Sequence, residues 1–148
     1  MKPLTRLVHW SRSRSLWVLL INTGACNACD IEVIAALSPK YDIERFGVLL
    51  KGSPRHADVL LITGAVTRQV KDRLLRIYRQ IPEPKYVVAV GTCAVSGGVY
   101  NHCYNVYKGV DEVLPVHVYV SGCPVKPEAV IEAINALKTR IENGGFNG

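Results

Sequence analysis

The chain has 148 residues, 49% hydrophobic and 20% charged, with five cysteines and a formal charge of +6. That length suits one domain with a real core, and that balance is globular rather than disordered. No apolar run approaches the ~20 residues of a membrane span, and the basic stretch from Met1 to Arg14 lacks the apolar region and cleavage site of a signal peptide. In a chain that is not exported, cysteines serve as metal ligands more often than as a disulfide framework.

The positive charge is uneven. Lys2, Arg6, Arg12 and Arg14 crowd a basic N-terminal arm, residues 1–15, ahead of a single domain over residues 16–148. Arg68, Lys71, Arg73, Arg76 and Arg79 line one later segment. Without interleaved aromatics or a nucleic-acid motif, these residues do not make a nucleic-acid surface. They read as a solvated helix face opposite an anionic partner protein, with anionic lipid headgroups as the alternative for the arm.

In chain order, residues 1–15 read as irregular or briefly helical. Leu16 to Ile21 is a continuous apolar run, hence a buried strand. Ile31, Ile34, Ala35 and Leu37 then fall at helical spacing until Pro39. Phe46 to Leu50 is a short strand, and Asp58 to Thr63 a clear one, closed by Gly64. From Thr67, Val70, Leu74, Ile77 and Ile81 share one face of a helix and the arginines the other, until Pro82. Tyr86 to Val90 is a further buried strand. Residues 94–112, rich in glycine, asparagine and tyrosine without periodicity, read as a long functional loop. Val116 to Val120 is the last strand. Pro127 opens a helix whose stripe is Val130, Ile134, Leu137 and Ile141, ended by Gly144 and Gly145. Apolar strands alternating with amphipathic helices give an α/β, flavodoxin-like, doubly wound parallel sheet. Strand order is not readable from such a pattern.

Cys26, Cys29, Cys93 and Cys123 all follow the carboxyl ends of expected strands, and Gly91 and Gly122 stand just before the last two. Ligands of open parallel sheets bind outside those ends, so the fold itself brings the four thiols to one rim. Structural zinc favours two close pairs, which Cys93 and Cys123 do not make. A disulfide conflicts with the compartment. An iron–sulfur cluster accepts irregular spacing, and backbone N–H groups in glycine turns and at helix starts offset its negative charge. Gly91 to Gly98 lacks the lysine of a phosphate loop and the spacing of a dinucleotide fingerprint. Cys103 has no strand before it and reads as a free thiol near a partner interface. His102 shows no ligand spacing, and His117 reads as a core histidine. Glu32 is a helix-dipole complement, with proton handling as its functional alternative.

Trp10…Arg14-Ser15-Leu16-Trp17, Cys26…Cys29-Asp30-Ile31-Glu32, Ala57 to Gly64, Val90-Gly91-Thr92-Cys93-Ala94…Gly97-Gly98 and Val120 to Pro124…Pro127-Glu128 together resemble one family. It is the 20 kDa-subunit family of respiratory complex I, shared with the small subunits of [NiFe] hydrogenases. The resemblance covers nearly the whole chain, in order. It implies one [4Fe–4S] cluster on Cys26, Cys29, Cys93 and Cys123. Complex I members typically carry adjacent cysteines at the first site, so Cys26-x-x-Cys29 resembles the membrane-bound, energy-converting hydrogenase branch. Val125 stands where many members have a second proline. The resemblance further implies an electron-transfer subunit on the cytoplasmic face of the membrane. Its expected partners are a large [NiFe]-type subunit, a ferredoxin-like multi-cluster subunit and a membrane subunit near the N-terminal arm. Quinone or a sulfur compound is the alternative acceptor.

Overall fold

A computed structural model describes the backbone of residues 3–143 and the side chains from Leu7 onward. Five parallel strands form its sheet: β1 (Leu16–Asn22), β2 (Val48–Leu50), β3 (Val59–Thr63), β4 (Tyr86–Val90) and β5 (Val118–Val120). Their order is β2-β1-β3-β4-β5. The helices are α1 (Pro3–Arg14), α2 (Ala28–Ala36), α3 (Arg68–Gln80), the short α4 (Thr92–Ser96) and α5 (Pro127–Glu142).

Every residue of β3 and β4 is buried, as a parallel sheet covered on both faces requires. Successive side chains point to opposite faces. Val59 and Leu61 therefore join one core with Val33 of α2 and Val130, Ile134 and Leu137 of α5. Leu60 and Ile62 join the other with Leu74 of α3, Ala94, Val110 and Leu114. Pro127 starts α5 with a fixed φ and no orphan N–H. Its stripe of Val130, Ile134, Leu137 and Ile141 is fully buried, roughly 1.5–3 kcal/mol of transfer free energy per side chain before chain-ordering costs.

Four segments differ from expectation, one of them the last strand, which starts at Val118 rather than Val116. Pro3–Arg14 forms a full 12-residue helix, α1, where an irregular or briefly helical stretch is expected. An isolated helix of that length is marginal in water; packing against α5 sustains it, with Ser13 fully buried and its Oγ 2.6 Å from Glu142 Oε1. The strand expected from Phe46 begins only at Val48, because Ile43–Phe46 forms a 3-10 turn and Gly47 adopts φ 78°. Residues 94–112 are partly ordered by α4 and by 3-10 turns at Gly98–Tyr100 and Val110–Glu112. Burial of Val110 and Leu114 anchors that stretch. The expected helix stop at Gly144 and Gly145 lies outside the described residues.

From β1 the chain passes to β2 on one side, while β3 lies on the other. The rim between β1 and β3 is thus the topological switch point of the sheet. The first cysteine pair leaves from there.

Candidate metal centre

Cys26 sits in the turn from β1 to α2, Cys29 in the first turn of α2, Cys93 in the first turn of α4, and Cys123 just after β5. All four thiols line one pocket of about 70 Å³ together with Gly64 and Thr92. Cys26 and Cys123 are exposed, Cys29 and Cys93 half-buried. Cys103, also exposed, does not line this pocket, and neither does the half-buried Glu32.

The turns differ in how they are held. On the β1 side, Asn22 Oδ1 accepts the amide N–H groups of Gly24 and Ala25, each at 2.9 Å. Its Nδ2 donates to Asp30 Oδ2 at 2.6 Å and Asn27 Oδ1 at 3.2 Å. Asp30 also accepts from Thr63 Oγ1 at 2.5 Å. On the β4 and β5 side the bonds are mostly backbone: Gly91 N–H to the Val120 carbonyl at 2.8 Å and Thr92 N–H to the Gly122 carbonyl at 2.9 Å. Thr92 Oγ1 adds a bond to that same carbonyl at 3.1 Å. The Cys123–Pro124 bond is cis.

Gly91 has φ 92°, a backbone conformation that belongs to glycine. A Cβ there would stand 2.7 Å from Cys29 Sγ, so a side chain would fill the space between the β4 turn and the first cysteine pair. Gly98 gives Cys93 the same room, since a Cβ there would stand 3.0 Å from its Sγ. The backbone is pared back where the sulfurs lie.

Burial, before anything else, pushes the Cys29 and Cys93 thiols above their ordinary value. Neighbouring thiols add to this: Cys26 and Cys123 act on Cys29, while Cys123, Cys29 and Cys26 act on Cys93. Asp30 raises Cys29 further, against a backbone hydrogen bond at Val125 that lowers it. Four thiolates in one pocket repel each other, and a group that supplies positive charge is what makes them stable together. Among the described residues no three ligating side chains stand together as a ready ion site, while the four cysteines line one pocket. That donor set fits a multi-iron sulfur cluster, which ties each thiolate to its own iron.

His117 is half-buried at the edge of the core and lies just outside the strand that the sequence places it in. It precedes β5, its Nδ1 accepts the Val87 N–H at 3.0 Å, and its ring meets Tyr86 edge-on at 5.5 Å. His102 lies exposed in the loop after α4. Sequence reading missed Asn22, Asp30 and Thr63. The one available signal was a polar residue closing an otherwise apolar strand just before Gly24.

Fold and rim define a class: doubly wound α/β proteins with a four-thiol pocket at the switch-point edge of a parallel sheet. Within it, the chain belongs to the family described as the NADH ubiquinone oxidoreductase 20 kDa subunit, which it matches over residues 26–137. It is 51% identical over 121 residues to a probable membrane-bound hydrogenase subunit, mbhJ, of Pyrococcus furiosus, covering 82% of this chain and 72% of that one. It is 45% identical over 139 residues to the chloroplastic NAD(P)H-quinone oxidoreductase subunit K of Aethionema grandiflorum. That alignment covers 93% of this chain and 59% of the longer subunit. Among solved structures it superposes on a chain of the membrane-bound sulfane sulfur reductase, an archaeal respiratory membrane complex. The TM-score is 0.85 at 42% identity, over 97% of this chain and 79% of that one. Family and relatives are subunits of oxidoreductases.

Proposed function

We propose that Cys26, Cys29, Cys93 and Cys123 hold one [4Fe–4S] cluster and that the chain is the electron-transfer subunit of a membrane-bound [NiFe] hydrogenase. The observation that carries this reading is the single pocket lined by four thiols from the carboxyl ends of β1, β4 and β5. The Cys26-x-x-Cys29 spacing and the 51% identity to a hydrogenase subunit support the hydrogenase branch. When bound, the cluster supplies reversible one-electron transfer. The chain's own residues do the rest. Gly91 and Gly98 leave room for the sulfurs, and half-burial of Cys29 and Cys93 limits water. The exposed side of the rim, at Cys26 and Cys123, faces the electron's next stop. A ferredoxin-like multi-cluster subunit would supply its electrons and the [NiFe] site of a large subunit would take them, reducing protons to H2.

Among the described residues no helix is long and apolar enough to cross a membrane. In this reading the chain is held to the membrane by partner subunits, on the cytoplasmic face. The arm of residues 1–15 docks on a membrane subunit. Leu7, Val8 and Trp10 stand exposed on α1, with the Arg14 guanidinium 5.3 Å over the Trp10 ring. Deletion of residues 2–12 then detaches the module from membranes while its cluster signal survives; unchanged membrane association overturns the docking.

A second reading has one observation in its favour, the 42% identity to a chain of a sulfane sulfur reductase. It keeps the relay and changes the acceptor to a sulfur compound or a quinone. The complex purified from its host decides between them. Reduced ferredoxin should drive H2 evolution, and the Cys93→Ser complex should lack one cluster's iron, sulfide and paramagnetic signal. Reduction of polysulfide or quinone without H2 selects the second reading. Zinc in place of iron refutes both.

A further inference from the structure

Asn22 and Thr63 are cross-strand partners at the carboxyl ends of β1 and β3, where the sheet reverses its winding. Asp30 lies in the first turn of α2, immediately after Cys29. Its carboxylate receives Asn22 Nδ2 on one oxygen and Thr63 Oγ1 on the other. It thus pins the start of α2 to both strand ends.

Asn22 has two N–H donors and two acceptor lone pairs, and every one is engaged. Its donors go to Asn27 and Asp30, and its oxygen takes the amides of Gly24 and Ala25. All four partners lie in the short segment that contains Cys26 and Cys29. A solvent-exposed side chain would ordinarily satisfy itself with water. Complete use within one loop signals a positioning task. The charged acceptor strengthens the central bond, since hydrogen bonds to ionised groups are roughly twice as strong as neutral ones.

Resting on the cluster reading above, we propose that Asn22 and Asp30 are positioning residues: an amide–carboxylate pair, anchored on Thr63, that sets the Cys26–Cys29 turn for the cluster. They touch no reacting atom. They act through the two thiols, as outer-shell partners do at other metal sites. The β4 and β5 turns carry no equivalent pair among the described residues, because backbone bonds hold them. The carboxylate also places a negative charge beside Cys29, which disfavours the reduced, more negative state of a bound cluster.

The test exchanges the two groups in the intact membrane complex. Asn22→Asp sets one carboxylate against another, and should make iron loss to a chelator roughly 10–100-fold faster, with an altered cluster paramagnetic spectrum. The double variant Asn22→Asp with Asp30→Asn restores a donor opposite an acceptor and keeps the net charge. It should recover both the spectrum and slow iron loss. Asp30→Asn alone should move the cluster midpoint potential upward. An Asn22→Asp complex identical to wild type in spectrum and iron loss overturns the proposal. So does a double variant no better than the single one, including the case where neither assembles. A wild-type complex with no iron or sulfide on this chain refutes the cluster reading itself, and the positioning role with it.

Discussion

The two halves of the thiol rim solve the same problem by different means. The Cys26–Cys29 turn is held by side chains, with Asn22, Asp30 and Thr63 exchanging bonds across the switch point. The Cys93 and Cys123 turns are held by the main chain, through Gly91 and Thr92 amides on the carbonyls of Val120 and Gly122. The reason lies in the topology. β4 and β5 are neighbours, so their outgoing turns lie side by side and can extend the sheet's own ladder. At the switch point, β1 feeds a helix that runs toward β2 and away from β3. The ladder adds one rung there, Thr23 N–H to the Thr63 carbonyl at 2.9 Å, and beyond it side chains carry the turn. Both halves are closed to added bulk at their glycines; the first should in addition be sensitive to its polar side chains.

The largest effect should come from the thiols, on either half alike. Replacing any one of Cys26, Cys29, Cys93 or Cys123 by serine should abolish or convert the cluster's paramagnetic signal, while Cys103→Ser leaves it intact. A Cys103 variant that alone loses the signal would break the assignment.

Next in size is Gly91→Ala. The new Cβ would press on Cys29 Sγ from 2.7 Å and occupy φ 92°, a conformation that costs of order 1–3 kcal/mol for other residues. Iron content of the purified complex should fall clearly. Full occupancy would show that the second half tolerates bulk at this glycine.

Thr92→Val is the milder probe. It removes the hydroxyl bond to the Gly122 carbonyl and leaves the amide bond in place, a loss of about 0.5–1.5 kcal/mol. Cluster spectra should stay as in wild type, with iron loss to a chelator only modestly faster. A change as large as that of Asn22→Asp would mean that side chains govern both halves.

The smallest effect concerns His117, at the other end of the β4–β5 pairing. Burial, the dominant cause, holds its imidazole below the ordinary 6.5, against a backbone hydrogen bond at Val87 and the Glu83 carboxylate, which raise it. The unfolded chain therefore takes up the proton first as pH falls. The contact contributes fully above pH 6.5 and is lost as pH drops through the lower, folded value. In hydrogen exchange corrected for intrinsic rates, the Val87 amide should lose protection on acidification. His117→Asn, which keeps an acceptor but does not titrate there, should remove that dependence. Protection unchanged by pH in wild type would exclude the link.

How far the sequence could be read follows from range. Strands β1, β3 and β4 announce themselves as short apolar runs bounded by glycine or proline, and α3 and α5 by stripes at helical spacing. Those signals are local. α1 was missed as a full helix because α5, some 120 residues away in the chain, sustains it. Glu32 drew attention as a first-turn acid, yet the bonded acid is Asp30. Nothing in a linear string marks which of two nearby carboxylates reaches a strand end.

By itself the sequence determined the class of the fold and the four thiols of the rim. Strand ends of a parallel sheet share one edge whatever the strand order, so cysteines placed after strands come to that edge; the order brings them into one pocket. The tertiary structure alone decided the order β2-β1-β3-β4-β5, hence where the winding reverses. It also decided which polar side chains span that reversal. Hydrogen bonds of this kind form between residues 8 to 33 positions apart in the chain. They depend on distances of a few tenths of an ångström, which packing sets and residue order does not.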